Sequence, residues 1–433
     1  MRALRQPSSL SAPLSIAFLC AALSSTAMAQ GLPRAQPEQV GLSSDRLARL
    51  AQTIRDDTAK GQIAGAVMLV ARRGKIAYLE SFGLRDKAAN APMGKDAIFR
   101  VASMTKPLTS VAAMILVEEG KIALDDPVSK YLPQFANLKV GVEKTDASGA
   151  VTLDLVPPAR PMTVQDLLRH TSGLTYGIFG AGKVKDLYKE ASADTTDQTT
   201  AEMVEKLGKL PLMYQPGTVW EYSRATDTLG RLVEVVSGMK LSEFFDKRII
   251  KPLRMNDSGF WVPAEKQNRL AQAQPEGPNN EIPAMIDVTT PPKFEGGGQG
   301  LVTTAEDYAR FLQMLLNGGE LDGVRILGRK TVELMTANHL APSVKAEGPT
   351  YLPGPGYGFG LGFAVRQTAG ISPLPGSVGD YSWGGAWGTY FWVDPKEKLF
   401  AIWMTQSPAH RLSYRPLIRS FVMQAIADPA NGE

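Results

Sequence analysis

Ser103-Met104-Thr105-Lys106 is the first arrangement in the sequence able to do chemistry. On a helix a residue three positions on projects from the same side one turn away, so the hydroxyl and the amine become neighbours. A serine hydroxyl is too weak an acid to attack a carbonyl unaided, but an adjacent lysine can take its proton once burial or nearby cations disfavour the charged amine. The start of a helix adds a backbone N–H and a positive dipole where an oxyanion would form. The pattern recurs at Ser237-Gly238-Met239-Lys240, where Gly238 breaks the helix and the two side chains need not face each other. Ser103 is therefore the candidate nucleophile.

Other chemistries are poorly supplied. The histidines are His170, His339 and His410, without paired-His or His-Glu-x-x-His spacing, so no metal site is expected. No Gly-x-Ser-x-Gly pentapeptide is present. Gly296-Gly297-Gly298-Gln299-Gly300 is followed by no Lys-Ser/Thr and opens no dinucleotide-binding turn, so neither a nucleotide nor any other cofactor is expected. His170, beside Thr171-Ser172-Gly173, has no acidic partner at a telling spacing and reads as a turn-stabilising residue.

The elements that must position Ser103 follow from apolar periodicity. Ser44 to Ala59 has helical spacing with Ser44 placed to cap it, and Ile63 to Ala71 and Lys75 to Phe82 read as a hairpin around Arg72-Arg73-Gly74. A second helix spans about Ser103 to Glu119 and stops at Gly120. Onward to about residue 290 the signals are helices and loops, including Thr163 to Arg169 with a Thr-x-x-Asp start and Asp227 to Val236 closed by Gly238. A helix from Ala305 through Leu316 precedes strand-like runs at Tyr357–Arg366, Gly388–Val393 and Leu399–Met404 and a last helix near Arg415–Ala427. Strands at both ends and none in the middle predict an α/β fold of the α+β type. Its antiparallel sheet is built from about residues 40–104 and 295–433, with helices packed on it and a helical region, about 105–294, inserted.

Among the 433 residues, 44% are hydrophobic and 21% charged, the balance of a chain that buries a large core. The formal charge of +4 falls to +2 without Arg2 and Arg5, which gives no basis for binding nucleic acid or a polybasic membrane surface. Those two arginines, the apolar run Leu14 to Leu23 and Ala27-Met28-Ala29 predict a signal peptide over residues 1–29, cleaved after Ala29, with residues 30–433 as one catalytic unit. The apolar run is shorter than the roughly 18–20 residues of a span, so no stable membrane anchor is expected after cleavage, and a periplasmic or secreted location follows. Cys20, the only cysteine, lies inside this leader without the small residues a lipoprotein signal places before it, so the mature chain has no disulfide and no thiol nucleophile.

Two further stretches follow Ser103 and Lys106 in order: Tyr222-Ser223-Arg224 after Pro216-Gly217-Thr218, and Trp383-Gly384-Gly385 before the strand at Gly388–Val393. With Leu167-Leu168-Arg169-His170-Thr171-Ser172-Gly173-Leu174 and Gly300-Leu301-Val302-Thr303-Thr304-Ala305 as context, the chain resembles the serine β-lactamase and penicillin-binding-protein superfamily. It is most similar to the class C-like branch of family VIII carboxylesterases. The resemblance implies an acyl-enzyme on Ser103, with Lys106 and Tyr222 sharing the proton transfers. A nearby ammonium favours phenolate and so suits tyrosine to that task. It also implies an oxyanion hole from the N–H groups of Ser103 and Ala386, with Gly384 and Gly385 letting the strand approach the substrate.

Departures from the β-lactamase pattern bear on the substrate. Arg224 stands where the Tyr-x-Asn element has its asparagine, and Trp383-Gly384-Gly385 replaces Lys-Thr-Gly, so the cation that anchors a β-lactam carboxylate is gone. Arg224 could replace that charge, although a solvated or structural role is the ordinary fate of an arginine. Tyr176, Tyr381, Trp383 and Trp387, with Phe179 and Tyr214, supply aromatic surface for an apolar group, whereas Trp220 reads as core. Gly177 to Lys189 has little periodicity and is expected to form a mobile flap. The expected partner is a small-molecule ester with a small, apolar acyl group. An amide-directed hydrolase, an acyltransferase and a non-catalytic ligand-binding homologue remain as alternatives, and whether Lys106 or Tyr222 is the acylation base stays open.

Overall fold

Gly31 onward, the chain is laid out by a few strong local signals. The computed structural model describes residues 31–276 and 281–428, with Met1 and Ala3; the signal peptide and its cleavage point otherwise lie outside the described residues. Helix α1 (Ser44–Ala59) is capped by Ser43, whose hydroxyl accepts from the Arg46 N–H, and not by Ser44, which instead bonds Glu38. Strands β1 (Gly65–Arg72) and β2 (Lys75–Asp86) form the expected hairpin, and Arg73 and Gly74 both take positive φ, as a two-residue turn matched to strand twist requires. After β3 (Ala91–Pro92) and β4 (Phe99–Arg100), a 3₁₀ turn over Ala102–Thr105 leads into α2 (Lys106–Glu118).

The middle of the chain is not strand-free. Strands β5 (Val140–Thr145) and β6 (Val151–Val156) form a separate, mostly exposed hairpin. Its alternating Val151, Leu153 and Leu155 carry a period-2 signal that the helical reading passed over. Helices α3 (Val164–Leu168), α4 (Lys183–Glu190), α5 (Thr200–Leu207), α6 (Ala225–Ser237) and α7 (Leu241–Phe245) follow. Thr163 and Asp166 make a capping box on α3, and Gly238 closes α6 in the left-handed conformation. Next come β7 (Val302–Thr303), paired with β4, and then α8 (Ala305–Leu316), β8 (Glu320–Leu321), β9 (Val324–Arg325) and α9 (Arg329–Met335). The expected strand at Tyr357–Arg366 is two, β10 (Tyr357–Phe359) and β11 (Ala364–Arg366), and β12 (Tyr381–Gly384), β13 (Tyr390–Asp394), β14 (Leu399–Thr405) and α10 (Arg411–Gln424) complete the chain.

The main sheet runs β10-β11-β12-β13-β14-β1-β2-β3, so the two ends of the chain meet where β14 pairs antiparallel with β1. Both of its faces are covered. On β14, Phe400, Ile402 and Met404 point into the larger core with α2 and α8, while Leu399, Ala401 and Trp403 point the other way, against α1 and α10. Two buried faces explain the unbroken apolar run of this strand. Helix α2 is buried along its whole length from Lys106 to Leu116, which forces the Lys106 amine into the interior.

Strand β12, which carries Trp383, is locked in place by Asp380. This fully buried carboxylate pairs with Arg366 on β11 at 2.7 Å and with Arg419 on α10, and it accepts a hydrogen bond from the Tyr357 hydroxyl. Asp380→Ala would leave two buried guanidinium groups unpaired, and the expected loss of unfolding free energy in urea titration is about 3–5 kcal/mol.

Candidate active site

Ser103 is the one residue between Val101 and Ser110 that is not buried. It sits on the 3₁₀ turn, where residues three apart eclipse, and its Oγ lies 3.4 Å from the Lys106 Nζ. The preceding Ala102 has φ +45°, a strained value for a residue with a Cβ. Its neighbours hold it there: Thr105 Oγ1 donates to the Ala102 carbonyl, Tyr308 of α8 donates to the Met104 carbonyl, and Thr389 donates to the Val101 carbonyl.

Lys106, 2% exposed, has no carboxylate partner among the described residues. Its Nζ donates to the Gly298 carbonyl at 2.8 Å and reaches the Ser103 Oγ and the Tyr176 hydroxyl, each at 3.4 Å. It lies 4.5 Å from the centre of the Tyr222 ring. The Tyr222 hydroxyl accepts from Trp383 Nε1 at 3.4 Å. Burial, reinforced by Asp227 and Tyr222, holds the Tyr176 hydroxyl well above the usual phenol range, so Tyr176 stays protonated.

Around these groups the aromatic rings form one wall. Trp220 stacks on Tyr222 at 6.0 Å, Trp383 lies 5.5 Å from Tyr222, Phe359 lies 5.3 Å from Trp383, and Tyr176 lies 5.6 Å from Tyr222 and 5.4 Å from Phe179. Trp220 belongs to the core as expected, yet it also backs Tyr222 directly. His170 has φ +59° and packs its ring 5.0 Å from Tyr222. Burial, with the Lys106 charge added, pushes its pKa well below the ordinary histidine value, so it is a neutral packing group with hydroxyl neighbours Ser223 and Thr226.

The turn after β12 closes the other side. Gly385 lies against Val101: a Cβ there would be 2.4 Å from the Val101 carbonyl oxygen, which only glycine avoids. Arg415 of α10 donates to the Gly385 carbonyl at 2.9 Å and fills the space beside Gly384. Ala386 follows, exposed, and neither its N–H nor that of Ser103 has a protein acceptor among the described residues.

The structure thus brings Ser103, Lys106, Tyr176, Tyr222, Trp383 and Gly385 together, with Gly384 and Ala386 beside them. Trp387 is half-buried on the same turn. Tyr381, expected in the substrate wall, packs instead against Phe363 at 5.1 Å inside the core. Arg224 is not solvated. It is 1% exposed and paired with Asp194 at 2.8 Å and Asp227 at 3.2 Å, so it offers no free charge to a substrate. The flap reading of Gly177 to Lys189 also changes: α4 occupies its second half, and Lys185 is buried against Glu221 at 2.8 Å while donating to the Phe179 carbonyl. The missed participant is Gly298, whose carbonyl is the nearest oxygen to Lys106. Its run of glycines was a signal of close backbone approach as well as a failed nucleotide motif.

Comparison with known proteins identifies the family and the fold. The profile of the Beta-lactamase family matches residues 50–419. This chain belongs to the Beta-lactamase family. Protein Rv1367c of Mycobacterium tuberculosis (strain ATCC 25618 / H37Rv) is 38% identical over 365 residues, covering 82% of this chain and 88% of the relative. Esterase EstB of Burkholderia gladioli is 31% identical over 398 residues, covering 87% and 95%. The solved structure of EstCE1, described as a hydrolase with promiscuous acyltransferase activity, superposes with a TM-score of 0.74 at 26% identity, covering 89% of this chain and 99% of that one. Fold and family are those the motifs implied, and this is a β-lactamase-fold member of the serine hydrolases with esterase and acyltransferase relatives. Among the described residues no helix is long and apolar enough to cross a membrane, and no acidic, histidine or cysteine cluster could hold a metal.

Because the Gly385 Cβ would meet the Val101 carbonyl oxygen at 2.4 Å as well as Thr389 Oγ1 at 2.2 Å, rotation of the threonine alone does not make room, and Gly385→Ala must displace either β12 or the turn bearing Ser103. The expected result is a lowered melting temperature together with reactivity of Ser103 toward a fluorophosphonate reduced at least about tenfold, since small displacements of reacting groups are costly.

Proposed function

We propose that the protein is an exported serine carboxylesterase acting on esters of small, apolar acyl groups through an acyl-enzyme on Ser103. The observation that carries this reading is the partly exposed Ser103, its hydroxyl 3.4 Å from a buried lysine that no carboxylate among the described residues pairs with. In this reading Lys106 takes the Ser103 proton as Oγ bonds to the ester carbonyl carbon. The N–H groups of Ser103 and Ala386 stabilise the oxyanion. Collapse expels the alkoxide, which is protonated by Lys106 through the phenol of Tyr222; Lys106 then takes a proton from the water that attacks the acyl carbon, and the second collapse breaks the Ser103 ester bond, returns that proton to Oγ and releases the acid. The aromatic wall and the absence of a cation at Trp383 suit a neutral, apolar acyl group, and the esterase named among the relatives supports the same class.

A second reading keeps the acyl-enzyme and replaces water with an alcohol acceptor. It is favoured by the acyltransferase activity described for EstCE1. Partitioning of a single acyl donor between hydrolysis and alcoholysis, measured against added alcohol, separates the two.

A fluorophosphonate adduct is expected on the peptide holding Ser103; an adduct on Ser172 or Ser237 instead, or full turnover by Ser103→Ala, contradicts the assignment. Short-chain p-nitrophenyl esters are expected to be turned over much faster than nitrocefin, with Trp383→Lys shifting the balance toward the β-lactam. Loss of a general base costs about 10²–10⁴-fold. Lys106→Ala and Tyr222→Phe are accordingly each expected to lower kcat at least about 10²-fold, with a double variant scarcely worse than either, as for groups acting as one unit. Multiplicative losses in a folded double variant would show two independent roles. Edman sequencing of the exported protein should begin at Gln30.

A further inference from the structure

Lys106 is satisfied by three oxygens of different kinds: a hydroxyl, a phenol and the Gly298 carbonyl. Only the carbonyl is an obligatory acceptor. One N–H of Lys106 must therefore point at Gly298 whether the side chain is an ammonium or an amine, which leaves the other positions on nitrogen, including the lone pair of the amine, for Ser103 and Tyr176. The placement of that carbonyl decides whether the base is aimed at the nucleophile.

The carbonyl is placed by Asp227. Its Oδ1 accepts the Gly298 N–H at 2.9 Å, so Asp227 and Lys106 hold the same residue from its two polar ends. The loop has no slack: Thr109 Oγ1 donates to the Gly297 carbonyl at 2.7 Å, the Leu301 N–H donates to Thr105 Oγ1 at 3.0 Å, and a Cβ on Gly298 would lie 2.8 Å from Asp227 Oδ2. Asp227 is fully buried and is oriented in turn by Arg224, whose guanidinium lies 5.2 Å from the centre of the Tyr176 ring and bonds Asp194. Two of the three oxygen partners of Lys106, the Gly298 carbonyl and the Tyr176 phenol, are thus referenced to one ion pair.

We infer that the buried Arg224–Asp227 pair is the positioning unit for Lys106, acting through the Gly298 peptide and the Tyr176 ring. Neither residue touches the reacting atoms. The arginine that departs from the Tyr-x-Asn pattern serves here as a brace for the lysine.

The inference rests on Ser103 being the acylated nucleophile, and fluorophosphonate labelling of the unmodified protein tests that separately. With turnover of a p-nitrophenyl ester normalised to titratable Ser103, Asp227→Ala is expected to lower kcat by about 10²-fold, the scale of an ångström-level misplacement, with KM changed by less than about threefold. Lys106 loses its aimed carbonyl while the aromatic wall is untouched, so kcat and not KM should carry the loss. Asp227→Asn retains an oxygen for the Gly298 N–H and should recover part of it. If Asp227→Ala does not accumulate as folded protein, Gly298→Ala, which pushes the same loop off Asp227, should show the same loss in kcat with KM held. Turnover per labelled Ser103 within about twofold of the unmodified protein in either variant, a loss that falls on KM as much as on kcat, or no recovery by Asn, overturns the positioning role. Labelling at a residue other than Ser103 overturns the underlying reading instead.

Discussion

A lysine buried with no carboxylate partner among the described residues is the constraint on which this structure turns. An ammonium removed from water demands compensation, and the usual remedy is an acidic partner. Three neutral oxygens take its place, drawn from the 3₁₀ turn, the glycine loop near residue 298 and Tyr176. These segments are far apart in sequence, so the fold must bring them together before the site exists. Helix α2, buried along its length, supplies the floor, and the antiparallel sheet formed from both chain ends supplies the opposite wall.

That wall is held by charges that do no chemistry. Asp380 ties β11, β12 and α10 together, and Arg415 from α10 holds the Gly385 carbonyl while the turn presses on Val101 near Ser103. Buried ion pairs are poor evidence of net stability, but removing one partner of such a pair is costly, so these pairs enforce a geometry. Trp383, where the β-lactamase pattern has a cation, makes the wall aromatic from Phe359 through Trp220 and Tyr222 to Tyr176.

The sequence by itself determined a good deal. Ser103 and Lys106 were legible because three-residue spacing on a helical turn is a local property, and Ser237 was separable from Ser103 because a helix-ending glycine is local too. The hairpin of β1 and β2, the capping box on α3 and the double-faced apolar run of β14 follow from propensity and period alone. The order of the motifs carried the family and hence the sheet shared between the two chain ends. Only the tertiary structure decided the rest, because burial and charge pairing depend on what lies across the fold. Arg224 looks like any surface arginine until Asp194 and Asp227 surround it. Lys183 to Glu190 becomes a seated helix once Lys185 finds Glu221, and Tyr381 and Trp383, two residues apart on one strand, diverge because Phe363 packs on the first and Tyr222 on the second. Gly298 carries no side chain to announce a role. Its contribution is a carbonyl direction, set by hydrogen bonds to residues about seventy and two hundred positions away, and no local pattern in an amino-acid sequence encodes that.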